Sequence, residues 1–322
     1  MQKNNAKAKK ERVENGERRI VLHPTVLVLA TYILLLLSKI IDVTLINRDN
    51  EYLSVVVLQM MIFLIPAALW CRFSGERYIR SLRVAPIKAD SVAVIISAAA
   101  VMISGGVLIS MLFGGLESLS QNFSLYNTFI SKDDGTAPSR LYLVLAYAVL
   151  PALCEEFVYR GILCHEYEKG GVMRAVLFSS VFFALLHFNP VNILTYLFSG
   201  MVLALVLYAS RSLIGAMLAH FLYNVFGLFG QRYMSTLWRI TGSSAFFLFL
   251  VAFCFLLSGA VFCREASRLY KKYLYEGASS SYRKPLLTTP EQKRASYISV
   301  LKDPWTIACG AFYVLASIIY LF

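Results

Sequence analysis

Long apolar runs separated by short polar ones set the rhythm of this chain. Nine runs approach or exceed the ~18 residues that an α-helix needs to cross a hydrocarbon core: 25–47, 52–71, 91–114, 141–164, 171–188, 190–209, 212–230, 243–263 and 304–322. The period-two alternation that a membrane β-barrel requires is absent from them. The pattern predicts an all-α, polytopic helical membrane protein with about eight or nine transmembrane helices. Composition agrees, with 58% apolar and 16% charged residues against roughly 45–50% apolar in soluble domains.

Charge then orients the helices. The net +12 would suit nucleic acid if it were spread over one face, but it is concentrated in three segments. Residues 1–20 hold seven Lys/Arg, 72–90 hold five and 264–303 hold nine, whereas 48–51, 115–140 and 231–242 hold one, two and two. Threading nine helices with the N-terminus cytoplasmic places every basic segment inside, as the positive-inside rule asks. The basic charge is therefore assigned to topology and to the lipid bilayer, with no nucleic-acid partner, and the expected location is the plasma (cell) membrane. The first apolar run is too long for a cleavable signal and lacks a small-residue cleavage site. Six cysteines, Cys71, Cys154, Cys164, Cys254, Cys263 and Cys309, fall in or at the ends of runs without a CxxC pair, which points to inert thiols.

These features divide the chain into a basic cytoplasmic leader (1–20), N-terminal transmembrane helices with an outer loop (21–140), a core of closely spaced helices (141–231), an eighth helix with its preceding loop (232–263), a basic cytoplasmic linker (264–303) and a C-terminal transmembrane helix (304–322). Lys39 and Asp42 sit near the end of the first run, and "GASSSYRKPLLTTP" reads as flexible linker. No internal repeat is evident, so an inverted-repeat transporter gains no support.

The core holds nearly all the intramembrane polar groups. Each charge in hydrocarbon costs about 2.5–3.5 kcal/mol on insertion scales, so such groups mark function or tight pairing. In "CEEFVYRG", Glu156 and Arg160 are four apart with the acid N-terminal, the favourable order for a same-face pair. Glu155 lies about 100° round the helix from Glu156 and is the spare carboxylate. "FALLH" carries Phe183 and His187, and "HFLYN" carries His220 and Asn224, which share a helix face. A carboxylate, two imidazoles and an amide suit hydrolysis: carboxylate and imidazoles can hold a divalent ion with a position open for water, ion or carboxylate can activate that water, and His220 with Asn224 can donate to an oxyanion.

"EExxxR" at Glu155, Glu156 and Arg160, "FxxxH" at Phe183 and His187, and "HxxxN" at His220 and Asn224 resemble, in order and on separate helices, the three motifs of the CPBP family. That family contains intramembrane CAAX prenyl endopeptidases and bacteriocin-processing or immunity proteins. The resemblance, covering about residues 150–230, implies an intramembrane endopeptidase with Glu155 as water-activating base assisted by His187. His220 and Asn224 complete the site as metal ligands or oxyanion donors, and Glu156, Arg160 and Phe183 support it. It leaves open whether one divalent metal ion such as zinc, held by Glu155, His187 and His220, takes part. The expected substrate is a membrane-embedded or lipidated peptide or protein.

Other intramembrane protease chemistries fit less well. "HEYEK" offers Lys169 where HExxH needs a second histidine, Ser199–Gly200 leaves Glu155, Arg160 and Asn224 unexplained, and 141–230 contains no aspartate. Two readings outside proteolysis are a non-catalytic immunity or scaffold protein that keeps the site, and a proton-coupled transporter using Glu155 and the histidines as a relay. Depth is a difficulty. At 1.5 Å per residue, Glu155 falls roughly 21 Å from the outer end of 141–164 and His187 roughly 24 Å from the inner end of 171–188, which places them at different levels of the bilayer.

Overall fold

In the computed structural model, the described residues are 23–44, 51–75, 78–122, 140–275 and 289–321. The basic leader 1–20, most of the outer loop 115–140 and residues 277–288 of the linker motif lie outside them, as do the side chains of Lys39 and Asp42. Among the described residues all regular structure is helical: α1 Pro24–Thr44, α2 Glu51–Ser74 and α3 Val92–Asn122, then α4 Arg140–Gly170. They continue with α5 Val172–Leu186, α6 Ile193–Ser210, α7 Leu213–Thr241, α8 Ser244–Tyr275, α9 Pro290–Leu301 and α10 Pro304–Leu321.

Six of these helices are long and apolar enough to cross a membrane, and Pro24–Ser38, Val172–Leu186 and Pro304–Ile318 are shorter apolar helices. Together they coincide with the nine apolar runs. Large side chains left exposed, such as Leu256 and Phe249 on α8 and Leu112 and Phe113 on α3, form an apolar exterior that only a lipid solvent tolerates. The chain is an integral membrane protein.

Around the core, α3 packs against α6, α7 and α8, while α4 lies between α2 and α7 with α5 alongside; α10 packs on α1 and α5. Buried apolar residues of α1, α2, α4, α5, α6, α7, α9 and α10 join in one cluster, and a second links α3, α6, α7 and α8. Two stretches of α4 are wide, π-helical turns, Leu145–Val149 and Phe157–Leu163. Pro151 explains the first, since it has no N–H and its ring crowds the carbonyl four residues back. The glutamates sit between the two.

Two departures from the sequence reading matter for the site. First, α4 does not stop near 164 but runs through "CHEYEKG" to Gly170. Its polar end is satisfied locally: Arg83 Nη2 donates to both Glu168 carboxylate oxygens at 3.0 and 2.8 Å, and the Tyr208 hydroxyl donates to Oε2 at 3.3 Å. The same loop fixes the start of α7, where the Ser212 hydroxyl donates to the Ala85 carbonyl at 2.5 Å and the Leu213 N–H to the Arg83 carbonyl at 3.0 Å. Second, the basic stretch 264–303 is largely helical where described. α8 continues to Tyr275, and α9 begins at a capping box in which Thr289 and Gln292 satisfy each other's backbone N–H groups.

Candidate active site

Helices α4 and α5 form a tight hairpin about Gly171, whose φ of 114° is a conformation that favours glycine. Its two arms therefore run side by side in register. Glu155 lies 16 residues before Gly171 and His187 16 residues after it, so both stand about 24 Å from the turn at 1.5 Å per residue. Contacts down the hairpin follow this register: the Cys164 thiol lies 3.3 Å from the Ser179 hydroxyl, and the Tyr159 and Phe183 rings are 5.6 Å apart. The expected difference in depth is thus corrected. It came from ending the fourth run at 164 and measuring each residue from an opposite face of the bilayer, whereas a 31-residue helix of about 46 Å overruns a ~30 Å core.

The deepest layer of the site is a buried ion-pair network. Glu156 Oε1 accepts from Arg160 Nη1 at 2.9 Å and lies 2.9 Å from His220 Nδ1, tying α4 to α7. Glu156 and Arg160 side chains are fully buried, a placement viable only because each neutralises the other. Arg160 also donates from Nη2 to the Gly200 carbonyl at 3.0 Å and lies 4.2 Å above the Phe183 ring. Gly200 permits this contact: a Cβ there would stand 3.0 and 3.1 Å from Ser180 Cβ and Cα, so only glycine lets α6 approach α5 closely enough.

Hydrogen bonding assigns the tautomer of each histidine. His187 Nδ1 is 2.9 Å from the Phe183 carbonyl, which can only accept, so Nδ1 carries the proton and Nε2 bears the lone pair of the neutral ring. His220 Nδ1 donates to the Glu156 carboxylate in the same way, again leaving the lone pair on Nε2. Phe183 is wedged between the two imidazoles, with centroids 5.0 Å from His187 and 5.8 Å from His220, both edge-on. On its other side His187 stacks on Tyr196 at 3.8 Å and 14°.

Glu155 differs from its neighbour. Its side chain is half-buried, and among the described residues it makes no hydrogen bond. It interacts electrostatically with His220, Glu156 and Arg160, and with Tyr196, the ring on which His187 stacks. Asn224 is half-buried one turn beyond His220 on α7, and no hydrogen bond joins it to the other candidates. Glu155, Glu156, Arg160, Phe183, His187 and His220 are therefore brought into one neighbourhood, with Asn224 at its edge. The sequence reading missed Tyr196 and Gly200; a helical tyrosine and a small residue beside Ser199 carry no spacing that sets them apart.

A metal set is not assembled. Histidines whose Nδ1–H groups are held by a carbonyl or carboxylate have the outer-shell arrangement of metal ligands. Yet among the described residues no three His, Cys, Asp or Glu side chains converge closely enough to hold an ion, so Glu155, His187 and His220 do not fit as a three-ligand site. Beside α4, on its α2 side, a cavity of about 690 Å³ is lined by Leu64, Ala68, Cys71, Arg72, Gly75, Ile79 and Phe157.

In comparison with known proteins, residues 137–226 match the family described as type II CAAX prenyl endopeptidase Rce1-like. The matched segment contains every candidate residue named above. No curated protein and no solved structure matches the chain.

Proposed function

We propose that this chain, which carries a Rce1-like domain of the CPBP intramembrane protease family, cleaves a peptide bond with water activated by Glu155. The observation that carries this reading is the division of labour between adjacent carboxylates. Glu156 is consumed by Arg160 and His220, while Glu155 is half-buried and hydrogen-bonds to no described residue. A carboxylate with open lone pairs beside an imidazole is the arrangement a general base needs.

In this mechanism Glu155 and Nε2 of His187 both accept from one water and orient it. As the water oxygen attacks the scissile carbonyl, its proton passes to Glu155 and the carbonyl π electrons move to oxygen. The Asn224 amide donates to that oxyanion, while His220 keeps its Nδ1–H on Glu156. Glu155 then returns the proton to the departing amine nitrogen as the C–N bond breaks. The Glu156–Arg160 pair keeps the interior neutral and holds His220 in place.

The substrate is a membrane-embedded or lipidated protein. The cavity between α2 and α4 offers apolar volume for its tail, with Arg72 at the edge. The basic segments support a cytoplasmic N-terminus and a site served from that side, in the cell membrane. Purified protein in lipid nanodiscs, given prenylated and unmodified membrane peptides, tests the reading. Cleavage lost in both Glu155→Gln and His187→Ala supports it, and cleavage surviving both overturns it. Chelator-sensitive cleavage restored by one divalent ion would contradict the metal-free form of this mechanism.

A further inference from the structure

The turn that follows His187 has an unusual backbone. Helix α5 ends at Leu186, His187 caps it, and Phe188 takes φ 48°. That left-handed position after a helix normally holds glycine or asparagine, since a Cβ crowds the backbone there. Asn189 and Pro190 explain why the helix stops, because a residue before proline disfavours helical angles. They do not explain why a phenylalanine accepts the left-handed conformation.

The contacts around Phe188 supply the reason, and they come from the two ends of the chain. From α1, Tyr32 sets its ring edge-on to Phe188 at 5.6 Å and donates from its hydroxyl to the Phe182 carbonyl at 2.5 Å. From α10, Phe312 and Tyr313 stand 6.0 and 6.4 Å from the Phe188 ring, and the Ser317 hydroxyl donates to the Phe188 carbonyl at 3.5 Å. Phe188 and Tyr32 are buried. Side chain and carbonyl of the strained residue are thus gripped together.

His187 is the preceding residue, so the backbone that this grip sets also sets its Cβ. None of the gripping helices lies in the family-matched segment 137–226. We propose that α1 and α10 are working parts of the active site, with Phe188 as the positioning residue through which they aim His187. This rests on the protease reading, and it gives the C-terminal helix a task.

The test uses the full chain in nanodiscs. Phe312→Ala with Tyr313→Ala loosens the grip, and Phe262→Ala, on α8 in the second cluster, serves as a control for lost stability. Below both melting temperatures the loosened variant is expected to lose about tenfold or more in kcat with KM nearly unchanged, because small misplacements of a catalytic group cost that much. Phe262→Ala is expected to keep its kcat. Adding Phe188→Gly to the loosened variant should recover activity, since glycine adopts the left-handed turn unaided. Hydrogen exchange of the 187–189 amides should rise in the loosened variant alone, a readout independent of catalysis. Unchanged exchange there, or kcat falling no further than in Phe262→Ala, overturns the proposal. If cleavage survives in both Glu155→Gln and His187→Ala, the proposed catalytic assignment fails instead, and exchange still reports on the grip.

Discussion

Glu156 and His220 meet at 2.9 Å across the α4–α7 interface, and the same Glu156 oxygen holds Arg160 at 2.9 Å. One buried carboxylate thus neutralises a guanidinium and orients an imidazole, and the adjacent Glu155 stays outside this pairing. Neighbours in sequence acquire different surroundings because consecutive side chains on a helix point about 100° apart.

Glu156→Gln and Glu155→Gln should therefore separate stability from activity. Removing the Glu156 charge strands Arg160 in a buried site, and breaking such a pair costs about 3–5 kcal/mol. Glu155→Gln should change stability by no more than about 1 kcal/mol, since it hydrogen-bonds to no described residue. Unfolding of both variants in the same detergent measures the difference.

Tyr196 stacks on His187 at 3.8 Å, and the contact is made by the ring. Tyr196→Phe is expected to retain cleavage within about threefold, whereas Tyr196→Leu, which removes the flat face, should lose about tenfold or more in kcat. Equal loss in both variants would assign the effect to the hydroxyl.

Gly200 sets the spacing of α5 and α6. A methyl at this position meets Ser180 at 3.0 and 3.1 Å, so Gly200→Ala should destabilise by about 1–3 kcal/mol through overpacking. It should also weaken cleavage, because Arg160 donates to the Gly200 carbonyl. Thermal unfolding and turnover measured together check both.

Ala68 lines the cavity beside α4. Ala68→Trp fills space that a lipid tail would use, and the lost apolar burial should raise KM for a prenylated peptide by about tenfold. KM for an unmodified peptide should not change. A rise for both substrates would place the tail elsewhere.

The helical architecture was legible because hydropathy over a membrane thickness is a strong constraint, and the Glu156–Arg160 pair because spacing of four on a helix brings side chains together. The equal depth of Glu155 and His187 was not legible. Polar residues such as His165, Glu166 and Glu168 look like the end of a span, yet α4 runs through them because Arg83 and Tyr208, distant in sequence, satisfy its end. Helix α9 was missed for a related reason: its residues lack an apolar stripe, although Thr289, Pro290 and Gln292 carry a recognisable start signal. The choice of Glu156 rather than Glu155 as partner of His220 depends on how α7 is rotated against α4, which no local pattern encodes.

The most direct measurement is turnover of a membrane peptide by Glu155→Gln beside the unaltered protein, in nanodiscs, with unfolding followed in the same samples. A fall of about a hundredfold or more with the unfolding temperature preserved is expected if Glu155 activates the water. Turnover within a few-fold of the unaltered protein would contradict it and move the chemistry away from this carboxylate.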